Sequence, residues 1–222
     1  MTKRATIEDP TNQYLYSMAT EYKQHWENVY STKQPHEVSW TQELPATSLS
    51  FINSFNLPKS AGIIDIGGGD SKLADYLLAE GYENITVLDI SEKAIERAKA
   101  RLGDNADKIK WIVADVTEFK PQATYDVWHD RAAFHFLTTP AQIATYIDIA
   151  KSCVNSYMVI GTFSDKGPKK CSGLDIKQYT EDGLQAQLSG SFSKVQCITE
   201  DHTTPFNTTQ NFLFCSFKRQ HA

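Results

Sequence analysis

Long apolar runs are missing from this sequence of 222 residues. None approaches the ~18 residues of a membrane-spanning helix, so no membrane association is expected. Cysteine is scarce. Cys153, Cys171, Cys197 and Cys215 form no C-x-x-C pair and have no histidine at zinc-site spacing, which excludes a zinc module and leaves all four expected as reduced thiols. An excess of positive charge is missing too. Lys and Arg number 22 against 27 Asp and Glu, a net charge of −5, so no nucleic-acid partner is expected. The densest basic run, Lys93 to Arg101, reads as a solvated helix face. Met1 to Pro10 is polar and mixed in charge, unlike a secretory leader, and the expected location is the cytoplasm. Repeats, low-complexity tracts and linkers are absent, so residues 1–222 read as a single domain.

What is present is an alternation of short β-branched runs with helical periods. Residues 11–30 carry Leu15, Met18, Tyr22, Trp26 and Val29 at spacings of three and four, one face of a helix. A second helix is expected from Ala46 to Phe55. Strands then fall at Gly62 to Ile66, Ile85 to Ile90, Ile109 to Val113, Tyr125 to His129 and Tyr157 to Phe163. Asp70 or Ser71, Ser91, Thr139 and Thr180 stand where N-caps belong, and Gly81 and Gly103 where helices stop. The loop 164–178 precedes the last helix. Two further strands, Phe192 to Ile198 and Phe212 to Phe217, are expected to pair across a long loop.

The organising stretch is Ile63-Ile64-Asp65-Ile66-Gly67-Gly68-Gly69-Asp70-Ser71. A buried strand, a glycine turn and a helix bring bare backbone against a nucleotide-like ligand at the carboxyl end of a parallel sheet. Lys72 occupies the third glycine position of G-x-G-x-x-G, and no Gly-Lys-Ser/Thr follows, so neither the dinucleotide fingerprint nor the P-loop fits. A carboxylate at the strand end would repel a pyrophosphate. It suits a ligand with a cationic head and hydroxyls, as S-adenosyl-L-methionine has. Asp65, Gly67 and Gly69 resemble the first motif of class I (seven-strand) S-adenosylmethionine-dependent methyltransferases, Asp/Glu-x-Gly-x-Gly-x-Gly, with Ser71 in place of the last glycine.

The resemblance implies an α/β three-layer sandwich with a seven-strand, mostly parallel sheet in the order 3-2-1-4-5-7-6. Residues 1–58 would form an N-terminal helical lid and 59–222 the Rossmann-like core. It implies S-adenosyl-L-methionine as donor, S-adenosyl-L-homocysteine as product and no metal. Carried over by position, Asp65, Ile66, Gly67, Gly68 and Gly69 would bind the donor. Asp89, 24 residues after Asp65, would accept from the ribose hydroxyls, with Ile90 beside it. Asp115 and Val116 would take the adenine. His129, ending the fourth strand, is the candidate for donor contact and for proton removal from the acceptor. Asp130 and Arg131 either pair with each other or orient substrate, and His202 is a secondary candidate.

Trp26 and Tyr30 resemble the W-x-x-x-Y element of the family's lid, and Trp40 follows a loop. Aromatic rings there could shield a sulfonium, worth about 0.5–2 kcal/mol, although Trp26 also lies on its helix's apolar stripe. The acceptor is expected to be a small molecule. A protein lysine, or donor binding without catalysis, remains an alternative.

Overall fold

The computed structural model describes residues 10–220, with side chains from Thr20 onward. The polar N-terminal stretch through Asp9, and the Leu15 and Met18 side chains, lie outside that description. The sheet comprises β1 (Gly62–Ile66), β2 (Asn84–Asp89), β3 (Ile109–Val113), β4 (Tyr125–Arg131), β5 (Val154–Phe163), β6 (Phe192–Thr203) and β7 (Thr209–Arg219). Their order is β3-β2-β1-β4-β5-β7-β6, with β7 antiparallel to both neighbours, as expected. The helices are α1 (Pro10–Thr32), α2 (Ala46–Ser54), α3 (Leu73–Ala79), α4 (Glu92–Leu102), α5 (Pro140–Cys153) and α6 (Glu181–Leu188). Among the described residues no helix is long and apolar enough to cross a membrane.

Side chains alternate across the sheet because successive Cβ atoms point to opposite faces. Ile64, Ile66, Trp128, Met158 and Ile160 pack with Tyr146 and Ala150 of α5 and Leu184 and Leu188 of α6. Ile63, Ile85, Val87 and Val127 pack with Leu49 and Ile52 of α2 and Leu73, Ala74 and Leu77 of α3. The same alternation sends Asp65 to the α2 side of β1, and His129 and Arg131 to the α2 side of β4.

Three expected caps form: Ser91 accepts from the Ala94 amide, Thr139 from Gln142 and Thr180 from Gly183. The start of α3 is a correction. The helix begins at Leu73, and Ser71 Oγ accepts from the Leu73 amide, because the glycine turn runs further than its residues suggest. The 164–178 loop holds a small hairpin, Lys170–Cys171 with Leu174–Asp175, turned by Ser172 and Gly173 at φ 51° and 81°.

The last strand pair departs more. β6 and β7 are longer than expected, and only residues 204–208 join them, with Thr204 Oγ1 accepting from the Phe206 and Thr208 amides. This register sets Cys197 opposite Cys215, Cα to Cα 4.1 Å, and the two are joined as a disulfide. The expectation of four reduced thiols is therefore corrected for this pair; Cys153 and Cys171 are free and buried. Glu200 and His202 lie within β6 rather than at an open strand end.

One buried chain of hydrogen bonds pins the turn after β4. Trp128 Nε1 donates to the Tyr146 hydroxyl (2.7 Å), and Tyr146 donates to Asp130 (2.8 Å). The second Asp130 oxygen accepts from the Ala133 and Phe134 amides, both at 3.0 Å. Burial pushes the Asp130 carboxyl up to about 6 against the opposing pull of these donors. Tyr146→Phe leaves an indole N–H and a carboxylate oxygen without their partner. Chemical denaturation should show a loss of about 1–3 kcal/mol with an unchanged denaturant slope; a midpoint equal to wild type would mean water or rotation replaces the bond freely.

Candidate active site

The carboxyl ends of β1 to β4 open into a cavity of about 1100 Å³. Its wall includes Asp65, Ile66, Gly67 and Gly68 from β1 and its turn, Asp89 and Ile90 at the end of β2, Asp115 and Val116 after β3, and His129 within β4. Trp26, Tyr30 and Trp40 cover it from the N-terminal segment. Of the residues anticipated to bind the donor, Gly69 alone is absent from the wall. It packs beneath it, where a Cβ would come within 2.5 Å of Asp89 Oδ2 and 2.7 Å of Ala94 Cβ. Gly67 has φ +66°, which glycine adopts without strain.

Asp65 and His129 are register partners on adjacent parallel strands. Their side chains meet in the interior, with exposures of 3% and 2%, which accounts for a direct bond: His129 Nδ1 donates to Asp65 Oδ1 at 2.7 Å. His129 Nε2 lies 2.8 Å from Ser48 Oγ on α2. Both ring nitrogens are thus engaged, and proton removal by His129 would require Ser48 to turn away.

Asp89 Oδ1 accepts from the Ser91 amide at 2.8 Å. Burial pushes its carboxyl up to about 7; hydrogen bonds from the Ser91 and Gly69 amides pull it down, while the charges of Asp65 and Glu27 add to the rise. Asp115 Oδ1 accepts from the Thr117 amide and hydroxyl, at 2.8 and 2.7 Å, which holds the turn after β3.

The cover is an aromatic cluster. Trp26 meets Trp40 and Phe136 edge-on at 5.6 and 5.2 Å, and Tyr30 at a tilt at 6.2 Å. It is tied down by polar contacts between residues distant in sequence. Glu27 on α1 accepts from Ser91 Oγ and from the Glu92 and Lys93 amides, so a lid carboxylate caps the N-terminus of α4. Arg97 donates to the Lys33 carbonyl. His202 Nε2 donates to the Ser39 carbonyl at 2.7 Å, so it anchors the lid loop and is not on the cavity wall.

The basic α4 run is exposed at Lys93, Lys99 and Arg101, as expected, and it also makes ion pairs. Arg97 and Arg101 pair with Asp70, and Arg101 with Asp75, which ties the helix to the glycine turn. Asp130 and Arg131 face opposite sides of β4 and do not pair. Ser48, Glu27, Phe136 and Leu137 are site residues that sequence reasoning missed. Among the described residues, no cluster of His, Cys, Asp and Glu is placed to hold a metal.

This strand order, with a carboxylate at or just past the end of each of β1, β2 and β3, is that of the class I methyltransferase fold. A family model described as a methyltransferase domain matches residues 63–155. A malonyl-[acyl-carrier protein] O-methyltransferase of Anoxybacillus flavithermus is 36% identical over 107 residues, 47% of this chain and 39% of that protein. The matches cover less than half of the length of the first curated relatives.

Among solved structures, the 1,6-didemethyltoxoflavin-N1-methyltransferase of Burkholderia thailandensis, with 1,6-didemethyltoxoflavin and S-adenosylhomocysteine bound, superposes with a TM-score of 0.68. The identity is 17%, and the match covers 99% of this chain and 94% of that one. A protein from a study of the conversion of a disulfide bond into a thioacetal group during echinomycin biosynthesis gives a TM-score of 0.73 at 16% identity. That match covers 89% of this chain and 93% of that one. Both likenesses concern the fold.

Gly69→Ala should push Asp89 and α4 apart. Denaturant unfolding is expected to show a loss of about 1–3 kcal/mol; wild-type stability would mean that the turn has slack at this point.

Proposed function

We propose that this chain transfers a methyl group from S-adenosyl-L-methionine to a small-molecule acceptor bound in the same cavity. The observation that carries this reading is a cavity of about 1100 Å³ that runs along four strand ends under one aromatic cover. Ordinary single-ligand pockets measure roughly 300–1,000 Å³, so there is room for donor and acceptor together. An acceptor lysine on a protein would need an open groove, and the Trp26–Trp40 cover favours the smaller acceptor. The relative with 1,6-didemethyltoxoflavin bound supports the same choice.

The donor set fits the cofactor chemically. Three carboxylates line one half of the cavity, and the ligand carries an ammonium, a sulfonium, a ribose diol and an adenine amine, all donors or cations. Asp89 would accept from the ribose hydroxyls, and Asp115 with Val116 would hold the adenine. Asp65 would set the charge near the amino-acid end, with His129 and Ser48 fixing its orientation. Trp26, Tyr30 and Trp40 would exclude water. When bound, the donor supplies a methyl group on a positively charged sulfur, open to in-line displacement. The residues contribute positioning, and the enclosed site spares the nucleophile its hydration shell.

The reading has a pH signature. Ribose hydroxyls donate to an ionised carboxylate, so ligand binding favours deprotonated Asp89. With its free carboxyl raised to about 7, affinity for S-adenosylhomocysteine should rise with pH between 6 and 8 and level off above. Below the midpoint the slope approaches about tenfold per pH unit. Asp89→Asn should flatten this profile, and Asp89→Ala should weaken binding about 10- to 100-fold. A profile in Asp89→Asn as steep as in wild type would remove Asp89 from the ribose site.

A further inference from the structure

Arg131 ends β4 two residues beyond His129, on the same face, and borders the cavity. Its guanidinium lies over the Phe212 ring at 4.7 Å, and Nη1 donates to the Trp40 carbonyl at 2.9 Å. Nε and Nη2 are shielded from solvent and have no partner. The other Lys and Arg side chains of the wall are matched: Lys72 with Glu43, Arg97 with Asp70, and Arg101 with Asp70 and Asp75. Among the described residues no carboxylate forms an ion pair with Arg131. Glu200 and Asp65 act on it at longer range only; Glu200 accepts from Thr47 Oγ1 and Asp65 from His129. Burial pushes the guanidinium down to about 10, so it remains charged at neutral pH. A sheltered cation without a counter-charge is costly, and an anion that pairs with it recovers that cost.

Position decides which ligand supplies the anion. Asp115, Asp89 and Asp65 end β3, β2 and β1, one half of the sheet. Arg131 lies past them on β4, and next to it the wall continues with Phe136 and, from the 170–175 hairpin, Cys171. We propose that Arg131 recognises a carboxylate on the methyl acceptor, so that the acceptors of this protein are small carboxylic acids. This rests on the reading that the cavity holds donor and acceptor together. The amino-acid carboxylate of the donor shares the same chemistry, and the test separates the two sources.

Binding is measured by tryptophan fluorescence on the full chain saturated with S-adenosylhomocysteine. The probes are acetate, pyruvate, benzoate and 4-hydroxybenzoate, each against its neutral amide. At least one acid should bind about 10- to 100-fold more tightly than its amide. Arg131→Gln, which keeps an N–H for the Trp40 carbonyl, should abolish that preference, and Arg131→Lys should retain part of it. The affinities of Arg131→Gln for S-adenosylhomocysteine and for 5′-methylthioadenosine, which lacks the amino-acid part, should both match wild type.

No preference for any acid in wild type, or a preference that survives in Arg131→Gln, overturns the proposal. So does a loss of S-adenosylhomocysteine affinity in Arg131→Gln with 5′-methylthioadenosine unaffected, which assigns the guanidinium to the donor. If Arg131→Gln does not fold, Arg131→Lys decides: a weakened preference supports the proposal and an unchanged one overturns it. Failure of wild type to bind S-adenosylhomocysteine overturns the donor reading and this one with it; binding without acid preference overturns this one alone.

Discussion

The bond between Asp65 and His129 is the constraint from which the site is built. It joins the centre of the sheet, β1 to β4, and through Ser48 it reaches the cap helix α2. A carboxylate that is 3% exposed is tolerated only because a donor reaches it at hydrogen-bond distance. His129 in turn is held at both nitrogens. Losing His129 would leave the buried Asp65 carboxylate without this donor, and losing Asp65 would leave His129 Nδ1 without its acceptor, at a cost of about 1–3 kcal/mol. The pair therefore fixes the floor of the cavity and the seat of α2 beside it, while the Gly67 and Gly68 amides donate to the Leu88 carbonyl.

Around that floor the layout follows from parallel strand geometry. Successive strands deliver their ends to one edge of the sheet, so Asp65, Asp89 and Asp115 form a row without further design. The same geometry places Arg131 beyond that row. The N-terminal segment contributes no strand, yet polar contacts clamp it at several points: Glu27 on the α4 terminus, Arg97 on Lys33, Arg131 on Trp40 and His202 on Ser39. These clamps tie the N-terminal segment to α4, β4 and β6, and Arg97 and Arg131 among them also line the cavity. Glu27 caps α4 and adds to the upward push on Asp89.

Much of the fold was legible because its signals are local. Glycine and apolar β-branched runs marked β1 and β3 to the residue, and Ser91, Thr139 and Thr180 marked their helices. The strand-end carboxylates could be read in order from their spacing together with the resemblance to the methyltransferase family. What escaped depends on contacts between distant residues. Ser48 gives no sign that it meets a histidine 81 positions away. Periodicity showed that Arg97 and Arg101 share a face but not that Asp70 and Asp75 lie opposite. One misplaced turn produced two errors. Pro205, Asn207 and their polar neighbours read as a long loop, whereas Thr204 folds residues 204–208 into a tight turn. Without that turn the register of β6 and β7 was hidden, and with it the pairing of Cys197 with Cys215 and the burial of His202.

The central claim is that this row of carboxylates serves a cationic, hydroxyl-bearing donor and not a pyrophosphate. Titration calorimetry of the full chain with S-adenosylhomocysteine and, separately, with NAD tests it most directly. The account predicts saturable S-adenosylhomocysteine binding at micromolar affinity or tighter and no measurable heat with NAD. Tight NAD binding with no response to S-adenosylhomocysteine would contradict it.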